Sequence, residues 1–286
     1  MQNYISLMRL DKPIGFMLLF WPCSWGFAYS IQDNSLDNKW IYFLILFFIG
    51  SILMRSAGCV YNDIVDKKLD AKVKRTKNRP LVKKIISIQK AWLLILALCL
   101  TSLIILFQFN LNSIYLGLSS GLLILLYPFM KRITYWPQLF LGIVFNWGVI
   151  LSYCVLNNKI DQEIFILFCS AIFWTLGYDT IYGLQDIYDD LKIGVKSTAI
   201  KFKKNIKTFL SLVYFVSFLL LIFAINLKIK EINLLYFLLL IPLIFLIYQI
   251  INIDIKKTKK NFFLFKLNNY YGLSTFIILT IIFNNA

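Results

Sequence analysis

Long apolar runs separated by short charged stretches make up almost the whole chain. Each run holds enough apolar residues to cross about 30 Å of hydrocarbon, which predicts membrane-spanning helices. Helices are expected because they satisfy their backbone groups internally, and the short alternating strands of a barrel are missing from the pattern. The pattern predicts nine spans, at about 14–31, 40–60, 91–109, 113–130, 136–156, 162–182, 207–227, 232–252 and 268–284.

The stretches between the runs are too short to form a separate water-soluble domain. We therefore expect one all-α domain over residues 1–286, an integral membrane bundle around a central cavity that opens to the cytoplasmic side. The first apolar run, from Ile14, lacks a small-residue cleavage site and leads into further spans. We interpret it as a span and not as a cleaved signal.

The charges predict how the bundle is oriented. The chain has 30 Lys and Arg against 14 Asp and Glu, a formal net charge of +16. Most cations fall in loops on one side of the nine-span arrangement, and such an excess marks the cytoplasmic side. The N-terminus is then cytoplasmic, and the cations contact lipid headgroups, so nucleic acid is not an expected partner. The opposite side receives only Lys39, Lys159, Lys228 and Lys230, and Arg55 lies near the end of the second span.

The composition limits the kinds of catalytic and metal-binding sites that the chain can form. The chain has no histidine, which excludes Ser-His-Asp and Cys-His catalysis and His-ligated metals. Acid–base or metal chemistry must then depend on carboxylates, Lys, Tyr or water. The cysteines form no C-x-x-C pair and are predicted to be small packed hydrophobic residues, without a disulfide or a zinc site. They are Cys23, Cys59, Cys99, Cys154 and Cys169.

Two acidic segments stand out against this apolar background. In NDIVDKKLD, residues 62–70, Asn62, Asp66 and Asp70 are spaced i, i+4, i+8, which predicts one shared helical face, with Asp63 beside it. The second segment, YDTIYGLQDIYDD, follows the sixth predicted span. Four predicted spans separate the segments, which suggests a parallel repeat that brings both to one cavity. The acids of the second segment are likewise predicted to share a helical face: Asp179, Asp186 and Asp190, with Asp189 adjacent.

Carboxylates at this density repel one another unless a cation joins them. Mg²⁺ prefers oxygen ligands and usually bridges one or two carboxylates to a substrate phosphate. Nearby Lys and Arg side chains can neutralise phosphate oxygens. We interpret Asn62, Asp63, Asp66, Asp70, Asp186 and Asp190 as Mg²⁺ ligands, with Asp66, Asp70, Asp186 and Asp190 as the catalytic group. The cations assigned to the phosphate are Arg75, Arg79, Lys131, Arg132, Lys192 and Lys196.

These segments resemble motifs of the UbiA-type intramembrane prenyltransferases. That family's N-D-x-x-D-x-x-x-D motif, followed by R-T-x-x-R-P-L, corresponds to residues 62–70 and 75–81. Its D-x-x-x-D motif with a trailing G-x-K-S corresponds to 186–190 and 194–197. A Y-x-x-x-K element is present as Tyr127 and Lys131. Longer stretches look like the branch that prenylates 4-hydroxybenzoate, at 8–22, 55–63, 127–142, 145–148 and 178–199.

The resemblance implies an activity and its partners. Mg²⁺ would bind an all-trans polyprenyl diphosphate, and the prenyl group would pass to the carbon ortho to the hydroxyl of 4-hydroxybenzoate, in ubiquinone biosynthesis. Tyr127, Trp174, Tyr178 and Tyr182 either shield the allylic cation or belong to the interfacial aromatic belt. Candidates for the substrate carboxylate are Arg9, Arg55 and Arg132, although Arg55 alternatively pairs with an acid of the first segment. The substrate-binding group further includes Asn62, Tyr127, Tyr178 and Asp179.

Other functions stay open at this point. A relative acting on homogentisate, dihydroxynaphthoate, haem or a chlorin would use the same chemistry. A transporter is less compatible, because the acids gather on one side and the repeat is parallel. A CDP-alcohol phosphatidyltransferase would need a D-G-x-x-A-R run, which the sequence lacks. The short N-terminus, with no transit-like extension, favours a bacterial inner membrane, with lipids around the protein and no obligate protein partner.

Overall fold

The computed structural model describes residues 1–31, 38–229 and 234–285. Within these ranges every regular element is a helix, so the predicted all-α bundle is confirmed. Seven helical segments in the described ranges are long and apolar enough to cross a membrane. They begin at Lys39, Ile88, Leu111, Pro137, Ile164, Lys203 and Leu234. The chain is therefore a multi-pass membrane protein.

The helices follow the predicted spans closely, with short additional helices at the loops. The first half of the chain contains α1 (Gln2–Met8), α2 (Ile14–Tyr29), α3 (Asn38–Val65), α4 (Lys67–Asp70), α5 (Ile88–Leu106), α6 (Leu111–Ile133) and α7 (Pro137–Asn157). The second half contains α8 (Ile164–Gly183), α9 (Ile187–Ile193), α10 (Thr198–Lys201), α11 (Ile206–Lys228), α12 (Leu240–Asn252), α13 (Thr258–Lys266) and α14 (Asn268–Asn284). Short 3₁₀ helices precede α11 and α12, at Lys203–Asn205 and Leu234–Leu239.

The count of nine spans stays a prediction. The predicted spans at 14–31 and 268–284 correspond to α2 and α14, which have 16 and 17 residues. These two helices pack closely at the centre of the bundle. A Cβ on Gly272 would lie 2.3 Å from Cδ1 of Trp21, so only glycine permits this approach. Lys230, one of the four cations predicted on the side opposite the cytoplasm, lies outside the described ranges.

A buried polar network joins the helices of the second half. The Nε1 of Trp174 donates to Oδ1 of Asn268 at 2.8 Å, and Nδ2 of Asn268 donates to Oε1 of Gln249 at 2.9 Å. The hydroxyl of Tyr214 donates to the same Gln249 oxygen at 2.9 Å. These bonds satisfy polar groups that would be costly to leave unpaired in hydrocarbon. Trp174 therefore belongs to the helix packing.

Both acidic segments contain a break in the helix, and the prediction of one continuous helical face is wrong for each. Helix α3 ends at Val65, and Asp66 (φ −95°, ψ 4°) precedes α4. Helix α8 ends at Gly183, and Asp186 (φ −111°, ψ 4°) precedes α9. The i, i+4 spacing misled because it is compatible with a helix but does not show where the backbone turns. Asp66 and Asp186 thus occupy equivalent positions, each at the start of a short helix.

Candidate active site

A deep cavity lies within the bundle, bounded mainly by α2, α3, α5, α6, α7 and α8. Its volume is about 630 Å³. One end is lined by side chains of both acidic segments and by several cations. Towards the other end the lining becomes apolar and small, with Leu46, Gly50, Ser51, Gly121 and Ile124. A Cβ built on Gly50 or Gly121 would meet no atom within 4 Å, so both glycines border open space.

The two acidic segments contact each other at the charged end. Nε of Arg75, in the loop after α4, donates to the two carboxylate oxygens of Asp186 at 2.9 and 3.0 Å. Nη1 of Arg75 also donates to the hydroxyl of Tyr182 at 2.9 Å. The backbone N–H of Lys74 donates to Oδ2 of Asp189 at 2.9 Å. Residues far apart in the sequence are thus side by side in the structure.

In the first segment, Asp63 is held by two arginines. Its side chain is almost fully buried, and both oxygens accept from Nη2 of Arg9, at 2.9 and 2.8 Å. Nη1 of Arg79 donates to Oδ1 of Asp63 at 2.9 Å and also pairs with Asp70. Arg9 follows α1 as its C-cap and lies in the left-handed region, at φ 60°. Burial raises the pKa of Asp70, and the positive charge of Arg79 opposes that rise.

Asp66 is the most deeply buried acid of the site. It is inaccessible to solvent and pairs with the ammonium of Lys131 and with the guanidinium of Arg132. Nη2 of Arg132 also donates to the carbonyl of Val65 at 3.0 Å, at the end of α3. Asp66 therefore fixes the end of α6 against the break between α3 and α4. Lys131 lines the cavity, whereas Asp66 and Arg132 lie behind the lining.

In the second segment, fewer carboxylates form ion pairs. Within the described residues, Asp179 and Asp190 form no ion pair within 4.0 Å, although both line the cavity. Burial, together with the nearby negative charge of Asp186, raises the pKa of Asp190 to about 7. Asp179 lies inside the span, where Arg55 is its charged neighbour.

The other predicted residues divide into two groups. Lining the cavity are Asn62, Arg55, Tyr127, Tyr178, Tyr182 and Lys196. Away from it are Trp174, Asp189 and the exposed Lys192. Arg55 does not pair with the first segment: its guanidinium lies 5.1 Å from the ring centre of Phe145, and its buried Nε has no hydrogen-bond partner.

Two aromatic residues are among the lining residues that the sequence interpretation missed. Phe262 and Phe265, on α13, border the charged end, and the ring of Phe265 lies 4.8 Å from that of Tyr182. They follow a lysine-rich loop that we interpreted only as a topology signal. The i, i+3 spacing of the two rings on a short basic helix was the available indication of an apolar face.

The donor set fits a magnesium ion shared with a phosphate. Asn62, Asp70, Asp186 and Asp190 present oxygen atoms to the charged end of the cavity. In the described residues no three acids or cysteines are grouped closely enough to hold a metal by themselves. Mg²⁺ commonly takes one or two carboxylates and fills its other positions with water and substrate oxygens, a requirement that these side chains meet.

These features define a class of protein: a helical membrane bundle whose deep cavity has an acidic and basic end and an apolar end. The family follows from comparison with known proteins. The chain matches the model of the UbiA prenyltransferase family over residues 19–270, and it belongs to that family. The mitochondrial 4-hydroxybenzoate polyprenyltransferase of Drosophila pseudoobscura pseudoobscura is 47% identical over 209 residues, which cover 73% of the chain and 52% of that protein. The match thus spans about half the length of these curated relatives.

Solved structures share the fold. A UbiA homologue from Aeropyrum pernix K1, in its apo form, superimposes with a TM-score of 0.75 at 21% identity, covering 92% of this chain and 97% of that one. A UbiA homologue from Archaeoglobus fulgidus bound to GPP and Mg²⁺ gives a TM-score of 0.65 at 17% identity, covering 96% and 99%. The arrangement of helices is therefore that of the UbiA fold.

Proposed function

We propose that the protein transfers a polyprenyl group from an all-trans polyprenyl diphosphate to the carbon ortho to the hydroxyl of 4-hydroxybenzoate, releasing diphosphate, in ubiquinone biosynthesis. The observation that carries this proposal is a cavity with both a charged end and an apolar end. A prenyl diphosphate has the same division into a highly charged head and an apolar tail. The names of the curated relatives support 4-hydroxybenzoate as the acceptor.

The charged end is proposed to bind the diphosphate. Asn62, Asp70, Asp186 and Asp190 would hold Mg²⁺, and the Archaeoglobus homologue bound to GPP and Mg²⁺ supports that metal. Bound Mg²⁺ would supply positive charge that stabilises the departing diphosphate. The catalytic and ligand roles of Asp66, and the ligand role of Asp63, stay predictions.

The cations at the charged end are proposed to bind the same diphosphate. Arg75, Arg79, Lys131 and Lys196 line the cavity and can donate hydrogen bonds to phosphate oxygens. Arg75 is held by Asp186 and Tyr182, which orients its guanidinium before substrate arrives. Lys192 is exposed and does not line the cavity, so we assign the phosphate to the four lining cations. Arg132 does not line the cavity, and it pairs with Asp66, which also pairs with Lys131.

The aromatic acceptor is proposed to lie between the two ends. Arg55 presents a buried guanidinium with a free Nε there, which suits a carboxylate better than the ion-paired Arg9 does. Tyr127, Tyr178 and Tyr182 surround the same part of the cavity and can shield an allylic cation with their rings. The apolar end then receives the first part of the prenyl chain.

We further propose that residues 1–286 act as one membrane domain, with the N-terminus on the cytoplasmic side of a bacterial inner membrane. The lysine-rich loops support this orientation. The curated relatives are named as mitochondrial proteins, so the location and orientation of this chain need a direct test. Tagging the N-terminus in cells and probing the tag with a membrane-impermeant reagent checks the side. Labelling from the periplasm would contradict the proposal.

The activity is tested with the purified protein in detergent, a prenyl diphosphate, Mg²⁺ and a panel of acceptors. We expect mass spectrometry to detect prenylated 4-hydroxybenzoate and released diphosphate, both lost when the metal is chelated. A product formed only from homogentisate, dihydroxynaphthoate, haem or a chlorin would replace the acceptor but keep the chemistry. No prenyl transfer to any acceptor would contradict the proposed function.

A further inference from the structure

The cavity is arranged in three layers along its depth. On α3, Asn62 lies at the charged end, and Arg55 lies about 10 Å further along the helix at 1.5 Å per residue. Gly50 lies further still, at the apolar end. Helix α6 repeats this order, and α8 with the break that follows it supplies the middle and charged layers. The charged layer contains Asn62, Lys131 and Asp186; the middle layer contains Arg55, Tyr127 and Asp179; the apolar layer contains Gly50 and Gly121.

The reacting carbon of a prenyl diphosphate must lie in the middle layer. The allylic C1–O bond joins the charged head to the apolar tail, so it lies where the lining changes from one character to the other. Under the proposed function, on which this inference rests, the ring of the acceptor must approach C1 at the same depth.

The reaction at that depth produces a proton. The C1–O bond breaks first, and the electron pair of that bond leaves with the diphosphate. The ring carbon ortho to the hydroxyl then forms a bond to the cationic C1. The ring then carries a positive charge and still holds the hydrogen of the attacked carbon. Loss of that hydrogen as a proton returns its bonding electrons to the ring and restores aromaticity. A base must receive the proton.

Asp179 is the carboxylate in the middle layer. It lies inside the span, about 6 Å before the end of α8 at 1.5 Å per residue, and it lines the cavity. Arg55, Tyr127 and Tyr178 are the charged or titratable groups around it. Tyrosine usually holds its proton at neutral pH and arginine its charge, so neither is a suitable base.

The carboxylates of the charged layer are less suitable. Asp186 is paired with Arg75, and Asp63 and Asp70 are paired with Arg79. Asp190 lines the cavity without an ion pair among the described residues, but it belongs to the proposed Mg²⁺ ligands. They also lie beside the proposed diphosphate site and not beside the ring. Asp179 forms no ion pair within 4.0 Å in the part of the chain that is described, which leaves its oxygens accessible from the cavity. We propose that Asp179 is the catalytic base that removes the ring proton after the carbon–carbon bond has formed.

An isotope experiment tests this role directly. The substrate is 4-hydroxybenzoate carrying deuterium at both carbons ortho to the hydroxyl, compared with the unlabelled compound. In the wild-type protein we expect kcat to be insensitive to the label, because a well-placed base removes the proton faster than the carbon–carbon bond forms. In Asp179→Asn we expect kcat to fall by about 10²- to 10⁴-fold and a normal primary isotope effect to appear.

Further variants separate a base from a structural role. Asp179→Glu keeps a carboxylate and should recover part of kcat, with a smaller isotope effect than Asp179→Asn. The matched control is Glu163→Gln, an acid at the opposite end of the same helix, which should leave kcat and the isotope response unchanged. The Mg²⁺ concentration for half-maximal activity should not change in Asp179→Asn, in contrast to Asp186→Asn.

The outcomes distinguish this inference from the proposed function. If wild-type protein forms no prenylated 4-hydroxybenzoate, the proposed function fails. If it does, but Asp179→Asn keeps near-native kcat, or loses kcat without an isotope effect, Asp179 is not the base. Should Asp179→Asn not fold, as judged by its thermal unfolding, Asp179→Glu must still show the isotope effect, and its absence there overturns the inference.

Discussion

The acidic segment at 62–70 and the one at 179–190 both change backbone direction at an aspartate, yet their carboxylates have different neighbours. In the first segment, Asp63 and Asp66 are buried and each contacts two cations. In the second, Asp186 has one cationic partner, and Asp190 has no ion pair within 4.0 Å among the described residues. Asp63 and Asp66 of the first segment therefore hold helix ends together, whereas Asp190 of the second keeps its oxygens available for a ligand.

The largest expected effect tests whether both segments nevertheless serve the reaction. We expect Asp66→Asn and Asp186→Asn each to reduce turnover by about a thousandfold, or about 4 kcal/mol. Asp186→Asn removes a proposed Mg²⁺ ligand, whereas Asp66→Asn removes the charged partner that positions Lys131 at the charged end. Product formation under saturating substrates measures this. Lys83→Ala, in the loop beyond the first segment, is the control and should be nearly silent. Near-native turnover in either aspartate variant would remove that segment from the catalytic machinery.

The next effect separates the segments by stability. Asp63→Ala should lower the free energy of unfolding by about 3 kcal/mol, because it leaves two partly buried arginines without their shared partner. Asp190→Ala should change it by less than about 1 kcal/mol, because no ion pair is broken. Denaturant unfolding in detergent micelles measures both. Equal losses would show that the two segments are held alike.

A smaller effect concerns the contact between the segments. Arg75→Lys keeps the positive charge but loses the planar group that bonds Asp186 and Tyr182 together. We expect the KM for prenyl diphosphate to rise about tenfold, the equivalent of one charged hydrogen bond. Steady-state kinetics with varied prenyl diphosphate measures it. An unchanged KM would mean that the contact does not orient the diphosphate site.

The smallest effect compares two lysines of the second segment. Lys196 lines the cavity and donates to the carbonyl of Ile133 at 3.0 Å, whereas Lys192 is exposed. We expect Lys196→Ala to lower kcat/KM by a few-fold, about 1 kcal/mol, and Lys192→Ala to leave it unchanged. If Lys192→Ala has the larger effect, the assignment of the cavity lining at this segment is wrong.

The sequence predicted most of the fold because membrane spans are set by length and hydrophobicity. The ends of α5 to α8 lie within a few residues of the predicted ends. The breaks at Asp66 and Asp186 were not predicted, and both aspartates pair with cations from other parts of the chain, Lys131 and Arg75. Local spacing contains no information about such partners.

The same limit applies to the site. The sequence identified the residue types, and most of the chosen acids and cations do line one cavity. It did not show that Asp63 would form ion pairs with Arg9 and Arg79, or that Lys192 would be exposed outside the cavity. These outcomes depend on which side chains meet after the helices pack, so they appear only in the structure.

The central claim is that both acidic segments bind one diphosphate together. Calorimetric binding of an unreactive prenyl thiodiphosphate, with and without Mg²⁺, tests it most directly because no chemistry is needed. We expect Mg²⁺-dependent binding of one analogue per chain, weakened at least about tenfold by Asp70→Asn in the first segment and equally by Asp190→Asn in the second. Wild-type affinity in either variant, or binding that does not need the metal, would contradict the claim.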